Sequence, residues 1–268
     1  MLTLFLKTIK NNRFSLLIYL VISISFVWMY VALFPTMQEQ AEKLKQAFES
    51  YPQALMKAFN ISFENFFDTL QGFMAGEYFS LLWPIIMIIL VLSYSASAIA
   101  GEIEAGTIEL LLAQPISRLK IFLAKYFSGI VIIVAFIAIS NFSVVPLAVL
   151  HNVDYKPENF LTMSILGFLF AFAIFGIGMM LSAFFSSKGK VAAIVGGVLI
   201  IMYALNLFSS FKESLDKLKY ASFFYYYDFN KAVVNNQIEP LNILVFLAVG
   251  IICAVVGAVL FVKRDIAT

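Results

Sequence analysis

Charged residues are scarce in this sequence. Asp, Glu, Lys and Arg make up 13% of its 268 residues, whereas an average soluble domain is about 25% charged. Hydrophobic residues make up 62%, and the mean hydropathy is +0.93. A chain this apolar cannot cover a water-facing surface with polar side chains. The composition therefore excludes an ordinary soluble domain and predicts several bilayer-spanning helices of roughly 20 residues each.

Cysteine and histidine are almost absent, and this limits the chemistry that the chain can perform. Cys253 has no second cysteine for a disulfide or a cysteine-based zinc site. The only histidine, His151, lies in a short predicted loop and is interpreted as a surface residue. The sequence contains no H-E-x-x-H or G-x-S-x-G motif. We therefore predict that the chain is not an enzyme and binds no metal or other cofactor.

The sequence also lacks the patterns that are typical of nucleotide binding and of nucleic-acid binding. Gly189 and Lys190 are followed by Val191, so the sequence lacks the G-x-x-x-x-G-K-[ST] loop that binds nucleotide phosphates. The net charge is only +2, and no basic run alternates with aromatic residues. A nucleic-acid partner is therefore not expected.

Six apolar segments are long enough to cross a bilayer, which predicts an all-α integral membrane protein. Their central parts carry no ionisable residue, which disfavours an ion-coupled transporter or channel. The first segment is too long for the apolar region of a signal peptide and lacks an A-x-A-like cleavage site. The predicted spans are residues 14–35, 79–100, 121–147, 160–185, 191–209 and 241–262.

Basic residues cluster on one side of these predicted spans. With the N-terminus inside, the short inner segments hold ten of the 18 basic residues; they are Lys7, Lys10, Arg13, Arg118, Lys120, Lys125, Lys188, Lys190, Lys263 and Arg264. Because lysine and arginine are retained on the cytoplasmic side, both termini are predicted to be cytoplasmic.

We predict that residues 1–268 form a single domain. Three of its segments lie outside the spans. Residues 1–13 form a basic amphipathic stretch that predicts a helix in the inner interface. Residues 36–78 predict an outer helical hairpin. Residues 210–240 form an outer aromatic segment, which either anchors the chain at the headgroups or lines an exit for an amphipathic substrate. Its aromatic cluster consists of Phe223, Phe224, Tyr225, Tyr226 and Tyr227.

The inner loop of residues 101–120 has an unusual pattern for a cytoplasmic connection. Gly106 loosens the backbone, Thr107 can cap a helix, Glu109 suits its first turn, and Pro115 prevents its continuation. A helix of about two turns is predicted. It would present Ile108, Leu110, Leu111 and Leu112. Because so short a helix is marginal alone, these side chains need lipid headgroups, the chain's own spans or another protein to pack against.

Two motifs in this sequence resemble those of the permeases of type-2 ABC exporters. Residues 104–118 are similar to the family's E-x-G-T-x-E-x-L-L-x-x-P-x-[ST]-R segment. The ending from Phe261 to Ile266 is similar to its F-x-x-R-D-[IL] closure. The resemblance implies that the inner loop contains a coupling helix seated in a groove of a separate ATPase subunit. The residues implied in this coupling are Glu104, Gly106, Thr107, Glu109, Leu110, Leu111, Pro115, Ser117 and Arg118.

The resemblance also implies how the transporter is assembled. Two permeases, identical or different, would join two ATPase subunits, which bind ATP and Mg. The complex would lie in a bacterial plasma membrane and export an amphipathic substrate such as a lipid, peptide or antibiotic. The alternative is a membrane scaffold or sensor that uses the same fold without transport.

Overall fold

The predicted membrane fold is confirmed by the computed structural model, which describes residues 1–43, 66–211 and 213–265. Within those ranges the regular structure is helical and includes no strand. Six helical segments are long and apolar enough to cross a membrane, and we number them spans 1 to 6. Their bounds are Leu2–Glu39, Leu82–Glu104, Arg118–Leu150, Pro157–Phe184, Lys188–Ser209 and Pro240–Lys263.

Several spans are built from more than one helical piece. Span 2 consists of Leu82–Ala96, a π-helix at Ser97–Gly101 and the short helix Glu102–Glu104. Span 3 consists of Arg118–Phe142 and Val144–Leu150, and the helix of span 5 continues to Phe211. The shorter elements between spans are Leu70–Met74, the π-helix Ala75–Phe79, Ile108–Leu112, the 3-10 helix Glu213–Ala221, Phe223–Tyr226 and Phe229–Val233.

The structure differs in part from the predictions for residues 1–13 and 36–78. Residues 2–13 are not a separate helix, because Leu2–Glu39 is continuous; their interfacial position stays a prediction. Of the predicted outer hairpin at residues 36–78, residues 44–65 lie outside the described part of the chain. In the part that is described, every residue of Leu70–Met74 is buried, and this helix packs against span 1.

Span 4 is the hub of the bundle, since it packs against spans 2, 3, 5 and 6. Its longest contact is with span 6, where two glycines let the backbones approach closely. A Cβ atom added at Gly176 would lie 2.8 Å from the carbonyl oxygen of Gly250 and 3.0 Å from its Cα. In lipid, where burying apolar surface gives little driving force, such close backbone approach is a main source of helix association.

This close approach can be tested with a matched pair of glycine variants. Gly176→Ala should lower the free energy of unfolding by about 1 to 3 kcal/mol, because the backbones of spans 4 and 6 must separate. The control is Gly197→Ala in span 5, where an added Cβ meets no atom within 4 Å. That change should be neutral or stabilise by up to about 1 kcal/mol through helix propensity. Thermal unfolding in nanodiscs measures both, and equal effects would contradict the packing.

Candidate functional site

The loop between spans 2 and 3 folds back on the end of the bundle. Span 2 ends at Glu104, and Gly106 then takes a φ of +70°, a left-handed conformation that glycine adopts without strain. The chain re-enters a helix at Ile108–Leu112, here called the loop helix. Ser117 then caps span 3, since its hydroxyl accepts a hydrogen bond from the Lys120 N–H. The loop helix is thus fixed between two helix ends.

The side chains of the loop helix differ from the prediction in which of them are buried and which are exposed. Ile108 is buried in the core of the chain, and Leu111 and Leu112 are half-buried against that core. Leu110 is 71% exposed and is the apolar side chain that the helix presents outward. The prediction that Ile108 is presented is therefore wrong. The expected contact of Leu111 with a partner stays a prediction, since its side chain is only half-buried.

An ion pair with a buried cation lies directly beneath the loop. Lys125 in span 3 is 4% exposed, and its ammonium nitrogen is 2.6 Å from a carboxylate oxygen of Glu102 at the end of span 2, whose side chain is 29% exposed. Thr107 donates from its hydroxyl to the same carboxylate and makes no side-chain capping bond, so its predicted capping role is wrong. Because an unpaired buried charge is strongly destabilising, the pair holds spans 2 and 3 together.

Two further predicted residues connect the loop to other spans. The Glu104 carboxylate accepts a hydrogen bond of 2.9 Å from the backbone N–H of Lys188, where span 5 begins. A carboxylate at a helix N-terminus also interacts favourably with the helix dipole. Arg118 donates to the backbone carbonyl of Arg264, just beyond span 6. The loop thereby contacts the ends of spans 3, 5 and 6.

Arg264 extends these connections to span 4. Its guanidinium donates to the carbonyls of Ala183 and Phe185 at 2.9 and 3.0 Å, and also to the Ser186 hydroxyl. Desolvation lowers the pKa of this guanidinium below its usual value, but an arginine remains protonated at neutral pH. Three sets of polar contacts, centred on Glu102, Glu104 and Arg264, therefore lie at the end of the bundle that carries the loop helix, and together they involve five spans. The other predicted residues of the loop, Glu109, Pro115 and Ser117, lie exposed on it.

Sequence reasoning missed Glu102 as the partner of Lys125. A signal for the pair was present, because Lys125 falls inside the predicted third span. A lysine at that depth needs an acid, and the acidic residues nearest to it along the chain are in the loop. Because Glu102 and Lys125 are 23 residues apart in the sequence, no local pattern indicates that they pair.

The aromatic cluster at the other end of the bundle is mostly interior. Phe223, Tyr226 and Tyr227 are buried, and Phe224 is half-buried against Tyr203. This burial contradicts the expectation of a belt facing lipid for Phe223, Tyr226 and Tyr227. Phe224 lines an apolar cavity between spans 2 and 5, and the role of the cluster in a substrate exit stays a prediction. Tyr225, at 36% exposed, is the one large member that reaches the surface.

Tyr227 shows why these rings are inside. Its ring centroid is 4.7 Å from that of Phe170 in span 4, and its hydroxyl donates to the Phe79 carbonyl at 3.3 Å. Burial raises the pKa of this hydroxyl well above its usual value. Asn159, at the start of span 4, donates to the carbonyls of Val233 and Val234 at 2.9 and 3.0 Å. The aromatic segment is therefore part of the packed bundle.

The described ranges contain no group of three or more His, Cys, Asp or Glu residues that could hold a metal ion. The site offers hydrogen bonds, one ion pair and an exposed leucine. The profile of the family described as "ABC-2 family transporter protein" matches residues 4–266. No curated protein matches the chain. The chain belongs to the ABC-2 family of transporter proteins, and it is a multi-pass membrane permease of that class.

The Glu102–Lys125 ion pair leads to a quantitative prediction. Lys125→Met should lower the free energy of unfolding by about 1 to 3 kcal/mol, because it leaves the Glu102 carboxylate, whose side chain is 29% exposed, without its cation. The double variant Lys125→Met, Glu102→Gln should recover most of that loss. Thermal unfolding of both variants in nanodiscs measures the difference.

The control is an exposed ion pair of the same kind. Lys231 lies 2.5 Å from Glu239 with a side chain 45% exposed, so Lys231→Met should cost less than about 1 kcal/mol. If Lys125→Met were as mild as this control, the structural role of the Glu102–Lys125 pair would be refuted.

Proposed function

We propose that this chain is the permease subunit of an ATP-driven exporter, and that its ATPase partner docks on the loop helix. The observation that carries the proposal is the exposure of Leu110 on a helix whose surroundings are hydrogen-bonded to spans 3, 5 and 6. A partner that moves the loop helix would move those spans with it. ATP and Mg would be bound by the ATPase, since this chain has no phosphate loop of the G-x-x-x-x-G-K-[ST] type.

The assembly that we propose contains two ATPase subunits and a second permease copy, identical or different. Spans 5 and 6 support this assembly, since they are the least buried within the chain and present long apolar faces. Lipid or a second permease would cover these faces. The substrate that we propose is amphipathic, such as a lipid, a peptide or an antibiotic, and the membrane is a bacterial plasma membrane.

The orientation that we propose puts the loop helix in the cytoplasm. The Arg118 contact with Arg264 brings the C-terminal end to this side of the bundle, and Lys7 lies near enough to Glu102 for electrostatic attraction. Both ends of the described chain thus lie beside the loop helix, where an ATPase has to bind. Substrate would leave at the opposite end, and Tyr225 is the aromatic side chain there that we propose to meet it.

Docking can be tested at Leu110. Leu110→Asp should weaken ATPase binding at least about tenfold, because it places a carboxylate in an apolar contact. The structure makes a different prediction for Leu111→Asp, which should lower the thermal stability of the chain itself because Leu111 packs on the core. The measurements are co-purification of the ATPase, its hydrolysis rate and thermal unfolding.

Leu218→Asp is the matched control, because Leu218 is also exposed but lies near the aromatic segment. It should retain the ATPase. Wild-type recovery of the ATPase with folded Leu110→Asp would refute docking on the loop helix. A chain purified from its native membrane with no ATPase at all would favour the scaffold or sensor alternative.

Orientation and the exposure of Tyr225 can be tested together by cysteine labelling. In a Cys253→Ala background, Tyr225→Cys should react with a membrane-impermeant maleimide on intact cells. Ser187→Cys, at the loop-helix end, should react only after the cells are opened. Labelling of Ser187→Cys on intact cells would reverse the proposed orientation. An unreactive Tyr225→Cys would remove Tyr225 from the proposed exit.

A further inference from the structure

The π-helix Ser97–Gly101 lies inside span 2, directly before the glutamate that pairs with Lys125. In a π-helix the backbone hydrogen bonds join residues five apart, so one turn holds about one residue more than an α-helical turn. Such turns are rare within α-helices and occur frequently at functional sites. This one separates the long α-helical part of span 2 from the short helix Glu102–Glu104, which leads into the loop.

Two side chains of span 2, one on each side of the π-helix, contact the same residue of span 3. The Tyr94 hydroxyl donates to the Lys125 carbonyl at 2.6 Å, and the Glu102 carboxylate pairs with the Lys125 ammonium group. Glu102 follows Tyr94 by eight positions. In a continuous α-helix, residues eight apart point about 80° apart around the axis, whereas residues seven apart differ by about 20°. Because the π-helix takes up one extra residue, it brings both side chains to the same face of span 2.

Ser182 in span 4 bonds to the backbone of this π-helix. Its side chain is fully buried, and its hydroxyl accepts hydrogen bonds from the N–H groups of Ile99 and Ala100 at 3.2 and 2.9 Å. The same hydroxyl donates to the Ala96 carbonyl at 3.3 Å. In an α-helix, the Ala100 N–H would bond directly to that carbonyl, four residues earlier. The Ser182 hydroxyl therefore lies between an α-helical donor and its acceptor, and it satisfies both of them.

A glycine lets the Ser182 hydroxyl approach span 2 so closely. Gly178 and Ser182 are four residues apart, so they lie on the same face of span 4. A Cβ atom added at Gly178 would collide with the Ser95 hydroxyl. Spans 2 and 4 are therefore in close contact immediately beside the π-helix.

We propose that Ser182 is a positioning residue, which holds Ser97–Gly101 as a π-helix and thereby sets the register of the loop. Without its hydroxyl, buried N–H groups of the π-helix lose their partner, and the α-helix offers them one within span 2. Conversion to an α-helix turns the chain from Glu102 onward by about 100° and moves it about 1.5 Å along the axis. Glu102 then no longer faces Lys125.

The π-helix is thus an element with two discrete arrangements at the junction of span 2 and the loop. Its role in transport rests on the function proposed above: an ATPase that moves the loop helix would change the register of the end of span 2. The register itself is a property of the chain alone. It can therefore be measured without an ATPase.

Electron paramagnetic resonance distances measure this register in the purified chain in nanodiscs. In a Cys253→Ala background, one spin label is attached at Ala105→Cys, which is exposed just after span 2. The second label is attached at Leu119→Cys or at Val262→Cys, both of which are exposed positions on other spans. Ser182→Ala should change at least one of the two distances by about 3 Å or more, because the backbone turns by about 100° at a radius of about 2.3 Å.

Ser209→Ala is the matched control for the loss of a buried hydroxyl. Ser209 in span 5 is 6% exposed, and its hydroxyl donates to the Asn206 carbonyl of its own helix at 2.7 Å. This substitution should leave both label distances unchanged.

Deletion of Ser97 separates the positioning role from a merely structural one. Ser97 is exposed, and its removal takes out the extra residue, so that Tyr94 and Glu102 share a face of a continuous α-helix. In this background, Ser182→Ala should no longer change the label distances. If Ser182→Ala does not fold by itself, the deletion should restore folding. A hydroxyl that only packs the bundle would be missed equally in both backgrounds.

Unchanged distances in folded Ser182→Ala would overturn the proposal. So would equal effects of Ser182→Ala with and without Ser97, or a deletion that does not rescue an unfolded Ser182→Ala. Because no ATPase is present, a negative result here leaves the proposed permease function untouched. Conversely, an ATPase that does not dock at Leu110 would refute that function without changing these distances.

Discussion

The bundle depends on how closely its helices can approach one another. In water, burial of apolar side chains would hold six such helices together, but lipid tails are as apolar as the side chains themselves. Close packing must therefore supply the association energy. Span 4 packs against spans 2, 3, 5 and 6, so it takes part in most of these contacts. Gly176 and Gly257 are both positions where spans 4 and 6 approach too closely to leave room for a Cβ atom.

Several polar bonds connect different spans at the end of the bundle that carries the loop helix. The Glu102–Lys125 pair, the Glu104 contact with span 5 and the Arg118 contact beyond span 6 all lie beside the loop helix. Each is a directional bond between different spans, whereas Leu110 faces outward. An apolar side chain thus faces outward, and charged groups fix the geometry of the spans beneath.

The features that the sequence could predict were those encoded locally. Apolar runs of about 20 residues identify spans whatever their neighbours are, and all six were found. Gly106 and Pro115 likewise interrupt the backbone by their own geometry, and the loop helix lies between them, although it is shorter than the predicted two turns. The structure bears out these local expectations because each depends on one short stretch of chain.

The features that the sequence could not predict depend on distant contacts. A five-residue helix has no clear amphipathic period, so the outward position of Leu110 is set by the core under Ile108. A tyrosine suits a membrane interface and a hydrogen-bonded interior equally well, and Tyr227 was placed inside by its bond to the Phe79 carbonyl.

The length of span 1 affects how the protein is positioned in a bilayer. Its 38 residues extend about 57 Å at 1.5 Å per residue, against a hydrocarbon thickness of about 30 Å. Because this helix is much longer than the hydrocarbon layer is thick, its length alone does not fix its depth in the bilayer. Lateral contacts set the depth of span 1 instead, and they include its packing against span 3 and the bond between the hydroxyls of Ser23 and Tyr78, 2.5 Å apart. Contacts of this kind keep span 1 at the same depth relative to its neighbours in membranes of different thickness.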